Sequence, residues 1–300
     1  MLVAIALLLL ASPPPPQWPV AVEEIVRTHA DGQPLRGWVA RTALDDPRVS
    51  FEVPGGAAPP PDGGESRLRP VDAWAREAGL HLAVNANFFA RVPGAAPGPW
   101  TEGQPVDILG VSVSSGRTVS PPRGRRGRGM DPALLIDETS GRGRAARCPC
   151  RARITFAATR DLRGVDEAVA GMGGADGPAP ATLLVENGNN HGATARVQPH
   201  SRHPRTAAAV SADGRMLILL VVDGRRPGWS AGATLVELGA LVRELGGHTA
   251  LNLDGGGSTT FWARGPGEGA GRVLNRPSDG RVRPVANGLG VRVADPPASR

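Results

Sequence analysis

Thr249-Ala250-Leu251-Asn252-Leu253-Asp254-Gly255-Gly256-Gly257-Ser258-Thr259 is the stretch on which the reading of the fold turns. Its first five residues read as a buried strand, a short apolar run bounded by glycines. Asp254 ends that strand, so the packing of its neighbours holds it in place. Glycine permits backbone angles closed to other residues and lets main-chain N–H groups approach a ligand closely. Consecutive N–H groups in such a turn predict an anion-binding nest, to which Ser258 and Thr259 add hydroxyls. A carboxylate beside a nest suits chemistry on a phosphorylated substrate. The plainer reading is a glycine-rich turn capped by Asp254.

Working upstream, Thr234 to Leu245 reads as the best helix in the chain. Thr234 and Glu237 form a capping box, Leu235, Leu238, Leu241, Val242 and Leu245 make an apolar stripe, and Gly246-Gly247 ends it. Before the helix, Thr206–Val210, Ala212-Asp213-Gly214-Arg215 and Met216–Val222 predict a hairpin with an Asp-Gly turn. Seven apolar residues in a row at 216–222 indicate a strand buried on both faces. That strand ends at Asp223-Gly224. Two strands that both end in Asp-Gly would bring two carboxylates to one sheet edge, where open sheets bind ligands. Paired carboxylates are what glycosidic cleavage uses. Asp223 as a simple turn cap is the competing reading. Arg205, just before the hairpin, has the fork geometry that matches phosphate, although an arginine in this chain is more often a surface residue.

Further upstream the pattern loosens. Val49–Val53 is β-prone, 54–64 is a Pro/Gly loop, Val71–Gly79 reads as a short helix and His81–Val84 as a strand. A second Pro/Gly loop at 92–105 precedes a strand at Val106–Val113. The arginine-rich 117–130 reads as a mobile insertion. The chain carries 41 glycines and 30 prolines, which accounts for the loops. The fold class expected is α+β, with a mixed sheet core, few helices and long Pro/Gly-rich loops.

Composition narrows the chemistry. All 34 basic side chains are arginines and there is no tyrosine, so lysine Schiff bases, a P-loop lysine and a tyrosine nucleophile are excluded. The net charge of +6 favours anionic partners. The run Arg123–Arg128 has no interleaved aromatics, and no DNA-binding motif accompanies it, so nucleic acid is not the expected partner. Leu2–Ala11 is uncharged and too short to span a bilayer, which fits the apolar core of a signal peptide. A leader over 1–34, then one domain over 35–295, outside the cytoplasm and without a transmembrane anchor, is the organisation expected. Cys148 and Cys150 could form a strained local disulfide or be two incidental thiols. His191, His200 and His203 fit no standard zinc spacing, and metal dependence stays open.

His203-Pro204-Arg205-Thr206, Val221-Val222-Asp223-Gly224-Arg225, Gly232-Ala233-Thr234-Leu235 and Leu251–Thr260 together resemble the phosphodiester glycosidase family. Asn85-Ala86-Asn87-Phe88-Phe89, Leu184-Val185-Glu186-Asn187-Gly188 and Asn275-Arg276-Pro277-Ser278-Asp279-Gly280, with Arg283 and Asn287, extend the likeness over 80–293. The order of these segments makes it specific; 92–105 and 117–147 look peculiar to this chain. The resemblance implies hydrolysis of a sugar joined through its anomeric oxygen to phosphate, without a cofactor, on a phosphate-containing glycan of the envelope or exterior. The candidate catalytic residues are Asp254, Asp223, Arg205 and Glu186. Asn85, Thr206, Gly255, Gly256, Ser258, Asn275 and Arg283 are the candidate substrate contacts. Two other readings use the same cleft: a non-catalytic binder of anionic polysaccharide, and a phosphodiesterase that breaks P–O.

Overall fold

The computed structural model describes residues 18–55, 59–122, 132–138, 150–157, 159–171, 183–195 and 197–294. A seven-stranded sheet organises them, in the order Val20–Thr28, Pro34–Ala43, Met216–Val222, Arg205–Val210, Thr249–Asn252, Val185–Glu186, Asn189–Asn190. The predicted hairpin is present, with Arg205 opposite Val222 and Val210 opposite Leu217. Gly214 takes the positive φ, +71°, that its turn requires.

The apolar run at 216–222 is explained by what covers the sheet. Leu217, Leu219 and Val221 face a core shared with Leu82, Val84, Phe261 and Leu289. Ile218, Leu220 and Val222 face the other way, against Leu235, Leu238 and Val242. Both faces are therefore dry, and each buried aliphatic side chain contributes roughly 1.5–3 kcal/mol. The covering helix is α2, Leu235–Glu244, with the Thr234–Glu237 capping box formed as read from the sequence. A shorter helix, α1, spans Val71–Glu77, and Gly79 beyond it has a φ of +64°.

The first face of the large sheet packs on two five-stranded sheets. One runs Arg272–Val273, Phe261–Ala263, Leu82–Asn85, Gly288–Val293, Val49–Glu52; the other runs Arg117–Ser120, Ser112–Ser114, Glu167–Ala170, Pro132–Glu138, Cys150–Phe156. Structure over the described residues is dominated by sheet, with two α-helices.

Several expectations need correction. Every strand pairing among the described residues is antiparallel, so the sheets are not mixed. A continuous apolar strand came from two covered faces, not from parallel neighbours. Residues 20–28, read as leader, form the edge strand of the large sheet and pair with Pro34–Ala43 along their whole length. Only Val20 and Ile25 in this strand are buried, five residues apart, so the segment carries no alternating apolar signature. The strand expected over Val106–Val113 is two, Pro105–Ile108 and Ser112–Ser114, in different sheets, with Gly110 at φ +87° between them. The start of the arginine-rich stretch, Arg117–Ser120, is a strand; 123–131 and Cys148 lie outside the described residues. Cys150 is buried, with Sγ 3.6 Å from the Val49 carbonyl oxygen. Among the described residues, no helix is long and apolar enough to cross a membrane.

Candidate active site

Met216–Val222 and Thr249–Asn252 both pair antiparallel with the strand between them, Arg205–Val210. They therefore run in the same direction, and both end where Arg205 begins. The two Asp-Gly ends meet at one sheet end, as the sequence predicted, although the strands are not neighbours.

Asp254 is fixed through its main chain. Its N–H donates to the Ala86 carbonyl at 2.8 Å, and its carbonyl accepts from Asn85 Nδ2 at 2.6 Å. Its carboxylate Oδ1 accepts from the Gly255 N–H at 2.9 Å. Burial pushes this carboxyl up to about 6, against the Ser258 hydroxyl, the Gly255 N–H and the Arg283 charge, which lower it. Ser258 Oγ faces the carboxylate without completing a well-formed hydrogen bond.

The three glycines serve close approach, not a nest. The N–H groups of Gly255, Gly256, Ser258 and Thr259 are donated inside the protein, to Asp254 Oδ1, Pro204 O, Gly255 O and Gly256 O. The predicted row of free donors is thus largely absent. A side chain at Gly257 would place Cβ 2.0 Å from Arg283 Nη2, and one at Gly255 would sit 2.6 Å from the Pro204 carbonyl oxygen. Gly256 has a φ of +59°, and its missing Cβ would lie 3.3 Å from Arg225 Nη1. Two guanidinium groups, those of Arg225 and Arg283, therefore rest against the turn. Arg283 is paired with Asp279 at 2.7 Å. Arg225 donates to His203 Nδ1, and burial, followed by the charges of Arg225 and Arg205, lowers the pKa of His203.

Asp223 is 2% exposed. Asn275 Nδ2, the Trp229 indole N–H and the Arg276 N–H all donate to its carboxylate, at 3.1, 2.9 and 3.0 Å. Burial raises its pKa, and those donors oppose the rise. With its oxygens taken, Asp223 ties three segments together and stands behind the surface. Arg205, 3% exposed, is likewise spent. Its Nε, Nη1 and Nη2 donate to the carbonyls of Ala233, Val197, Gln198 and Ser201, at 2.8 to 3.0 Å. The fork expected to hold phosphate instead holds the loop before its own strand. Burial and the nearby Arg225 charge lower its pKa to about 10.

Glu186 lies elsewhere. Val185 pairs with Ala250 in an antiparallel sense, so Glu186 sits toward the Thr249 end of that strand, away from Asp254. It is exposed and 4.0 Å from His191. Asn85 and Thr206 are fully buried under the turn: Asn85 Oδ1 accepts from the Thr206 hydroxyl at 2.8 Å and the Thr260 N–H at 3.1 Å. Asn275 also bonds Thr259 O and the Phe261 N–H. Asn85, Thr206 and Asn275 thus brace the site from below. Arg225 is the residue that the sequence reading passed over. Its signal was present, two residues beyond Asp223 in the quoted motif, but arginine is too common in this chain to single it out. Among the described residues, no group of three or more His, Cys, Asp or Glu side chains is placed to hold a metal ion.

Comparison with known proteins fits this geometry. The phosphodiester glycosidase family model matches residues 78–292, close to the span of the sequence motifs. Among solved structures, the chain is similar to the zebrafish N-acetylglucosamine-1-phosphodiester alpha-N-acetylglucosaminidase catalytic domain, auto-inhibited by its pro-peptide. The TM-score is 0.60 at 18% identity, over 92% of this chain and 83% of that one. A hypothetical protein from Synechocystis gives 0.58 at 17%, over 91% of this chain; the match spans 62% of that protein, less than two thirds of its length. A Burkholderia pseudomallei protein gives 0.56 at 18%, over 87% and 74%. At these identities the likeness is one of fold. No curated protein matches. The family model covers well over half of the sequence, and the chain belongs to the phosphodiester glycosidase family.

Proposed function

We propose that this chain is an exported hydrolase that cleaves the glycosidic C–O bond of a sugar-1-phosphodiester within an envelope or extracellular glycan. The observation that carries the reading is one raised carboxyl, Asp254, beside a glycine turn against which Arg225 and Arg283 rest. Membership of the family supports the reaction class. The apolar run Leu2–Ala11 supports export.

In this mechanism Arg225 neutralises the phosphate, assisted by Arg283, whose charge is shared with Asp279, and this makes the phosphate a good leaving group with little need of a proton. The Asp254 carboxylate takes a proton from a water molecule as that water attacks the anomeric carbon. The C–O bond breaks, its electron pair stays on the phosphate oxygen, and the products are a free sugar and a phosphomonoester. Asn85, Asn275 and Asp223 act beneath the surface as positioning residues, and Arg205 positions the loop at 197–201.

Asp254→Asn tests the assignment. It preserves shape and removes the charge, so turnover falls by about 10²-fold or more, while at neutral pH the melting temperature does not fall, because the buried charge that opposes stability is gone. A folded Asp254→Asn protein with wild-type turnover would refute the mechanism.

A further inference from the structure

A cavity of about 670 Å³ shares Arg225 with the glycine turn and is lined among others by Gln33, His200, Arg202, Arg226 and Glu237. Its charges are not equivalent. Arg202 is committed to Glu237 and Asp31, at 2.8 and 2.6 Å. Glu237 is further committed to His29 and to the helix cap. Asp223 lies behind the wall, with its oxygens taken by Asn275, Trp229 and Arg276. Arg225 and Arg226 form no ion pair among the described residues. Among the described residues the Arg225 guanidinium bonds only the His203 ring. Arg226 Nη2 donates to the Pro277 carbonyl, and its buried Nε has no partner. The cavity therefore presents two guanidiniums that lie outside any ion pair among the described residues, although the Arg226 charge acts on the buried Asp223 behind it, and Arg225 is shared with the turn. Guanidinium selects phosphate through paired N–H donors.

We infer that this cavity is a second anion subsite, which takes another phosphate of the same substrate chain. The substrate is then a glycan with repeated phosphodiesters, not an isolated one. The inference rests on the proposed function for the chemistry at the turn, but the subsite itself can be tested separately.

The test follows the Nε–H signals of Arg226 and Arg283 by ¹⁵N NMR of the full chain as inorganic phosphate is added. Arg226→Gln identifies the first signal, and Gln33→Glu adds an opposing charge to the cavity without removing any contact of the arginines. A saturable Arg226 shift, weakened in Gln33→Glu, supports the subsite. An Arg226 signal that stays still while that of Arg283 moves overturns it and leaves the reading of the turn intact. An Arg226 shift with Arg283 unmoved supports the subsite and counts against the turn as a phosphate site; if neither moves, both fall.

Kinetics then separate a tethered phosphate from a free one. A synthetic diester with a second phosphate one sugar further along should have a KM about tenfold below that of its single-phosphate counterpart. Arg226→Gln should abolish that advantage and leave the single-phosphate substrate unchanged. Equal KM values for the two substrates would make this a site for free phosphate and overturn the inference.

Discussion

The Asp254 carboxyl sits under opposed influences: burial pushes it up to about 6, while Gly255, Ser258 and Arg283 pull it down. A general base works as the carboxylate, so kcat/KM should rise with pH through about 6 and level off above it. A profile that falls through the same range would assign Asp254 as an acid and contradict the mechanism. The same group should oppose stability where it is active. Its folded pKa lies above the ordinary 3.8, so its contribution is intact below that value and is lost as pH climbs through 6. Asp254 was legible in the sequence because strand, carboxylate and glycines are contiguous. The roles of Asp223 and Arg205 were not, because a formal charge does not show which partners occupy it. Asp223 and Arg205 read as reactive groups until their hydrogen bonds to Trp229, Asn275 and the 197–201 carbonyls are seen.

At the scale of elements, Arg205 connects the start of its strand to the loop at 197–201 and to Ala233, just before α2. Arg205→Ala leaves those carbonyls without their donor and should cost about 3 kcal/mol of stability. Arg205→Lys should recover only part, since an ammonium cannot reproduce the fork. Turnover per folded molecule should fall far less than in Asp254→Asn. Unchanged melting with lost activity would instead return phosphate binding to Arg205. The hairpin at 205–222 and helix α2 were readable because their signals are local: an Asp-Gly turn, a capping box, an apolar stripe. The edge strand Val20–Thr28 was not. It pairs with the next strand, Pro34–Ala43, but the residues it buries, Val20 and Ile25, are five positions apart and give no period-two signal. The sense of pairing was equally hidden, because an apolar run reports covered faces and not strand direction.

At the scale of the molecule, the sheets are joined by buried polar groups as well as by the core. Glu167 accepts from the N–H groups of Val53 and Ser115, at 2.9 Å each, and so links the loop after Val49–Glu52 to the loop after Ser112–Ser114. Burial pushes its carboxyl up to about 8 from the ordinary 4.5, and those two donors oppose the rise. Its contribution to stability is therefore complete below 4.5 and declines as pH rises to 8. Melting temperature should fall across that window. Below pH 4.5 Glu167→Gln should melt lower, having lost an acceptor, and the gap should close or reverse toward pH 8 because the variant's pH dependence is flatter; an equally steep profile in the variant would place the titration elsewhere. The central claim concerns which bond the assembled site breaks. Hydrolysis of a sugar-1-phosphodiester in ¹⁸O-enriched water decides it by mass spectrometry of the products. Attack at the anomeric carbon, as the account predicts, puts the label in the sugar and none in the phosphomonoester; label in the phosphate would mean P–O cleavage and contradict it.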